Sequence, residues 1–295
     1  MYILHNSKVS RISIALLFFL GYLLSNNEGN NMTRRIVITS GKGGVGKTTI
    51  VSGLGLTLAR MGYKVLLVDM DFGLNNLDVI MGIENKIVYD IIDVLEHKCM
   101  PKQAIVQDFF ESNLYIFPST HGFCKISFGS RELMEVIGSI EDLFDIVLID
   151  CPAGIDGGFK RAVECGGEHI VITTPHLSAV RDADKVINCI ISNLQKKPYI
   201  IINRARGDLM LNGEMLGVDT IKNSLTGEII GVVPDDDVVA VQMYKGGELD
   251  RDSLAYSSLK MIAENIISGD NKIFDCTKKY RGFIGGIRKK IKSRL

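Results

Sequence analysis

The densest chemistry in the chain is the run G-K-G-G-V-G-K-T, Gly41 to Thr48. It satisfies G-x-x-x-x-G-K-[ST] with a strand-like run before it and a helix-like run after it, the context in which that spacing means phosphate. Gly41, Gly43, Gly44 and Gly46 let the backbone curl around Val45, so that its N–H groups converge on an anion at the start of a helix. Lys47 brings a positive charge to the β- and γ-phosphates, the Thr48 hydroxyl is a ligand for Mg²⁺, and Thr49 continues the cradle. Lys42 is not needed to hold phosphate. A charge so early in the loop points outward, toward a neighbouring subunit.

Carboxylates stand where such a cradle needs them. Asp150 ends an apolar run and meets P-A-G, a position from which it reaches Mg²⁺ through water. Asp69 and Asp71 sit two apart at the end of another apolar run and share a side while strand geometry lasts. Transfer of a phosphoryl group to water needs an oriented nucleophile and charge stabilisation more than covalent chemistry. A base reader is expected further along. Asn203 follows I-I-I and can exchange two hydrogen bonds with a purine edge. Asn203-Arg204-Ala205-Arg206 lacks the acid with which Asn-Lys-x-Asp accepts the guanine amino group, so adenine is favoured.

The elements that must position these residues read as one fold. Apolar runs rich in β-branched residues lie at 35–40, 64–69, 114–117, 145–150, 169–174, 198–203 and 228–233. Without polar alternation they suit strands buried on both faces. Helical stretches lie between them, among them 47–61, 130–141, 178–195 and 252–267. The expectation is an α/β domain over 32–268, a doubly wound, mostly parallel sheet covered by helices, with ligands at the carboxyl ends of its strands.

K-G-G-V-G-K-T-T resembles the deviant Walker A loop of the MinD/ParA ATPases, a family of P-loop NTPases. The resemblance runs from about Arg34 to the C-terminus. It takes in D-M-D-F-G-L-N-N-L-D (69–78), L-I-D-C-P-A-G (148–154), S-A-V-R-D-A-D (178–184) and G-V-V-P-D-D (231–236), and is nearest to the septum-site-determining branch. It implies a Mg²⁺-dependent ATPase that dimerises with ATP and helps place a division septum. Lys42 would then reach the phosphates of the partner subunit. Asp71 would position or activate the attacking water, Asp69 would shape the metal and water site, and Pro234 and Asp235 would flank the base. Asp182 and Asp184, read from the residues alone as carboxylates beginning a helix after His176-Leu177, would lie on a surface touched by partners. Those partners would be a MinC-like division inhibitor and a MinE-like topological regulator. The competing reading is a ParA-like DNA-segregation ATPase. A redox or iron–sulfur carrier is disfavoured by the missing C-x-x-C.

Composition narrows the rest. Hydrophobic residues make up 46% and charged residues 23%, which excludes disordered and collagen-like classes. Lys plus Arg and Asp plus Glu are both 34, so net charge gives no argument for a nucleic-acid partner. The six cysteines are nowhere closer than fourteen positions, which fits neither a zinc site nor a redox pair and suits reduced thiols in a cytosol-like compartment.

Charge is unevenly placed, however. From Lys278 to Leu295 there are eight basic residues and no acid. At 100° per residue Tyr280, Phe283, Ile284, Ile287, Ile291 and Leu295 fall within an arc of about 120°. Residues 269–295 are therefore expected to be a linker and an amphipathic helix for an anionic membrane surface. Gly282, Gly285 and Gly286 each disfavour helix by roughly 1 kcal/mol, so it should fold on lipid, and two copies in a dimer would bind with avidity. Attachment would be peripheral, on the inner membrane of a bacterial cytoplasm or a plastid stroma.

Residues 1–31 lie outside the resemblance. Lys8 and Arg11 precede an apolar run from Ile12 to Leu24 that rises only about 20 Å as a helix, short of the ~30 Å hydrocarbon layer. An upstream extension before a functional start at Met32 leads over an extra anchor and a targeting signal.

Overall fold

The computed structural model describes residues 32–72, 76–119, 128–236, 250–282 and 285. The chain divides into two units, Met1–Thr33 and Arg34–Leu295, and the second holds the strands and helices of the fold. Its strands are β1 (Arg34–Ser40), β2 (Val65–Asp69), β3 (Val106–Gln107), β4 (Leu114–Phe117), β5 (Ile146–Asp150), β6 (Glu168–Thr173), β7 (Tyr199–Ala205) and β8 (Glu228–Pro234). Its helices are α1 (Lys47–Arg60), α2 (Leu77–Met81), α3 (Ile91–Leu95), α4 (Ser130–Gly138), α5 (Gly157–Glu164), α6 (Leu177–Leu194), α7 (Gly207–Asn212), α8 (Val218–Ser224) and α9 (Leu254–Ser268).

The strands form one sheet in the order β3-β4-β2-β5-β1-β6-β7-β8. Every pairing is parallel except β3 with β4. Successive side chains of a strand point to opposite faces, and each face has its own core. Ile36 and Ile38 pack with Ile50, Leu54 and Leu58 of α1 and Leu259 and Ile262 of α9. Val37, between them, packs in the other core with Leu133 of α4, Phe159 of α5 and Ile187 of α6. The result is three layers, helices on both faces of the sheet, as the continuous β-branched runs predict. α1 is buried nearly all round. Its Gly55 lies so close to β2 that an added Cβ would come 2.5 Å from a Leu67 methyl.

All seven expected strands are present, with ends within two residues of expectation. β3 is an addition. The stretch after α9 departs from the expected linker. Asn265 donates to the carbonyls of Ile230 and Lys272 at 2.9 and 2.7 Å, Phe274 packs on the core, and Cys276 is buried. Tyr280, expected on the tail's apolar arc, closes a 3₁₀ turn at Lys278–Tyr280 and is 7% exposed. The packed body therefore continues to Tyr280, because this segment carries apolar residues that the sheet edge can bury. Phe283, Ile284, Ile287 and Ile291 lie outside the described residues, as do Gly73–Asn75 of the 69–78 motif, Cys124 and residues 1–31. No helix among the described residues is long and apolar enough to cross a membrane.

Candidate functional site

The carboxyl ends of β1, β2, β5 and β7 bring the expected chemistry together. β1 runs straight into the glycine loop, and α1 starts at Lys47 behind it. Gly44 and Gly46 have φ of 80° and 86°, the left-handed region that only glycine enters freely. Gly46 is the N-cap of α1, so no side chain closes that helix end and its first N–H groups remain free to meet an anion. Gly41 is required for another reason. A Cβ there would sit 2.3 Å from the backbone of Asp182, where α6 crosses under the loop.

The two lysines of the loop differ. Lys47 is 7% exposed and its ammonium bonds the carboxylate of Asp150, itself 1% exposed. Burial works against the charge of Lys47, but the facing Asp150 more than offsets it and its pKa is raised. Lys42 is exposed, and its ammonium donates to Ser178 Oγ at 3.1 Å.

β2 and β5 align Asp69 directly with Asp150. Asp69 is buried, and its Oδ1 accepts from the N–H of Asp71 at 2.9 Å. Burial, with the Asp150 carboxylate beside it, pushes the Asp69 carboxyl up to about 8. Asp71 is half-buried and also raised, chiefly by burial. It faces open space that Asp69 does not. The two carboxylates thus part company: Asp71 lines a cavity of about 670 Å³ together with Lys42, Lys47, Thr48, Thr49 and Asp156.

That cavity has room for a chain of phosphates, and its residues fit Mg²⁺. The donors are the Thr48 hydroxyl and carboxylate oxygens, a hard set suited to a hard cation. Asp69 Oδ2 is buried without a hydrogen-bond partner among the described residues, a polar atom that a cation or its water would satisfy. Among the described residues no group of three or more His, Cys, Asp or Glu side chains forms a protein-only metal cage. Mg²⁺ seldom uses one, since it keeps waters and shares substrate phosphates.

A second cavity of about 530 Å³ adjoins the first and is lined by Gly46, Thr49, His176, Asn203, Arg204, Pro234 and Asp235 among others. Arg204 borders both hollows. Its φ is 55°, unusual for a side chain of that size, and β7 and β8 lose register between Ile202 and Ala205 around it. Pro234 ends β8, and the N–H of Asp235 donates to the Ala205 carbonyl at 3.1 Å, which fixes the loops after β7 and β8 to each other.

One reading changes. α6 begins at Leu177, so Asp182 and Asp184 lie in its second and third turns and cannot complement its N-terminal dipole. Asp182 instead pairs with Lys185 at 3.1 Å. Sequence reasoning missed His176, Asp156 and the bond from Asn203 to the loop. None has a spacing signal, since chain folding alone brings them in.

These features agree with the comparisons. The model of the CobQ/CobB/MinD/ParA nucleotide binding domain matches residues 36–247. The septum site-determining protein MinD of Synechocystis is 38% identical over 88% of this chain and 99% of its own length. Among solved structures, the MinC:MinD cell division protein complex of Aquifex aeolicus superposes with a TM-score of 0.77 at 35% identity, covering 82% of this chain and 98% of that one. MinD of Pyrococcus horikoshii complexed with Mg-ADP gives a TM-score of 0.73 at 30% identity, covering 81% and 98%. The chain therefore belongs to the CobQ/CobB/MinD/ParA nucleotide-binding family and, within it, to the MinD family of septum site-determining proteins.

Proposed function

We propose that this chain is a Mg²⁺-dependent ATPase that dimerises on ATP, attaches peripherally to an anionic membrane and helps position a division septum. The observation that carries the reading is the pair of loop lysines, one buried against Asp150 and one exposed at the loop's edge. The uncapped start of α1 and the loop N–H groups bind the phosphates, and Lys47 supplies the nearest charge. Thr48 and Asp150 would hold Mg²⁺, which when bound neutralises charge across the β- and γ-phosphates. Asp71, at the cavity wall and inclined by burial to hold a proton, accepts a hydrogen bond from the attacking water and orients it. Asp69 stays beneath, fixing the Asp71 backbone. Asn203, Arg204, Pro234 and Asp235 line the adenine side.

The Lys42 ammonium exchanges its exposed bond to Ser178 for the partner subunit's phosphates, so the ATP dimer is the form that it completes. The basic C-terminal tail then binds lipid as a pair, with Phe283, Ile284, Ile287 and Ile291 entering the interface. Support for a MinC-like inhibitor comes from the Aquifex relative, solved in such a complex. A MinE-like regulator and a surface including Asp182 and Asp184 follow by analogy, in a bacterial cytoplasm or a plastid stroma. The test is co-sedimentation with anionic liposomes in ADP and in ATP, beside duplex DNA. Pelleting only with ATP, abolished by Ile287→Glu, is expected; salt-sensitive binding to DNA and not to lipid would sink this reading in favour of a segregation ATPase.

A further inference from the structure

β7 breaks register with β8 between Ile202 and Ala205, and the two residues inside the break face different ways. Arg204 is exposed and borders both cavities. Asn203 is 5% exposed, and its Nδ2 donates to the Val45 carbonyl at 2.8 Å. That carbonyl lies in the phosphate loop between the two left-handed glycines. The same nitrogen occupies the space that a side chain at position 46 would need, since a Cβ there would lie 2.4 Å from it. One donor of the Asn203 amide is thus committed to the loop.

We propose that Asn203 is a positioning residue for the phosphate loop, its amide holding the Val45 carbonyl turned away from the anion so that the neighbouring N–H groups face inward. The inference rests on the nucleotide-binding reading and deepens it. A glycine-rich loop loses much conformational freedom when it orders around a ligand, and a bond that sets its curve beforehand lowers that cost. A carbonyl released from its donor could also swing toward the phosphates and repel them. Asn203 therefore acts on the phosphate end of the site through its bond to the loop.

Calorimetry with ATP, GTP and inorganic tripolyphosphate, each with Mg²⁺, tests this on wild type and Asn203→Ala. Positioning predicts that all three ligands weaken by one common factor, about tenfold for the loss of a buried hydrogen bond. It also predicts faster amide exchange at residues 43–47 in the ligand-free protein, with little change elsewhere. A loss confined to ATP, with tripolyphosphate bound as by wild type, would overturn the proposal and make Asn203 a base reader. Unchanged affinities would overturn it as well. Wild type that binds no ATP would instead refute the nucleotide reading beneath it, a separable result. Should Asn203→Ala fail to fold, Asn203→Ser repeats the comparison, because its hydroxyl is too short to reach Val45.

Discussion

Lys47 keeps its charge where water barely reaches, and that has a consequence for stability as well as for binding. Lys47→Ala would leave Asp150, 1% exposed and aligned with Asp69, without its counter-ion. Removing one partner of a buried pair costs about 3 kcal/mol or more. We expect Lys47→Ala to lower the urea midpoint of the ligand-free protein as well as to abolish ATP binding in calorimetry; an unchanged midpoint would refute the pairing. Lys42→Ala should behave oppositely. Its ammonium is exposed and bonds only the exposed Ser178 among the described residues, so stability should stay within about 0.5 kcal/mol while the ATP dimer disappears in sedimentation velocity. Both lysines were legible from spacing. So was the outward direction of Lys42, whereas the partners Asp150 and Ser178 were not, because they come from distant parts of the chain.

Between whole elements the tightest fit is β8 under α9. A Cβ at Gly231 would lie 2.1 Å from Ile262 Cγ1, and Ile262 is 1% exposed in the core below. Overpacking of this kind costs about 1–3 kcal/mol. Gly231→Ala should lower the melting temperature without changing ATP affinity, and in the double variant with Ile262→Ala, itself destabilising, the two losses should be less than additive; strictly additive losses would refute the contact. The strands were readable because continuous β-branched runs have few other uses. The short helices α2, α3, α5, α7 and α8, of five to eight residues, were not. A period of 3.6 needs about eleven residues to declare itself. β3 has only two residues and exists by pairing with β4, a contact that no local pattern encodes. Much of the site was legible through its glycine-lysine loop and strand-end carboxylates, whereas the bond from Asn203 to Val45 depends on the break in β7.

For the molecule as a whole, acid should act through His169. It lies 2% exposed in β6, its Nε2–H donates to the Val163 carbonyl at 2.9 Å, and its Nδ1 has no hydrogen-bond partner among the described residues. Burial pushes its pKa below the ordinary 6.5, so the folded protein holds a neutral ring. That contribution is present above the ordinary value and is lost as pH falls through the lowered one. Urea midpoints should therefore decline between pH 7 and pH 5, and His169→Gln should flatten the decline. An equal slope in the variant would place the acid sensitivity elsewhere.

The segment that returns from α9 ends at Tyr280, which lines one hollow with Pro234 and Asp235, the proposed base side. From Tyr280 to Phe283 is three residues, a leash of at most about 10 Å. Under the proposed membrane role, a body moored this closely cannot swivel freely on the bilayer. Its nucleotide entrance would stand close to the ionic layer over the headgroups, about 8 Å deep at physiological salt. The charge of the lipid would then become part of the surroundings in which nucleotide comes and goes, so that exchange on anionic vesicles and exchange in free solution are two different measurements.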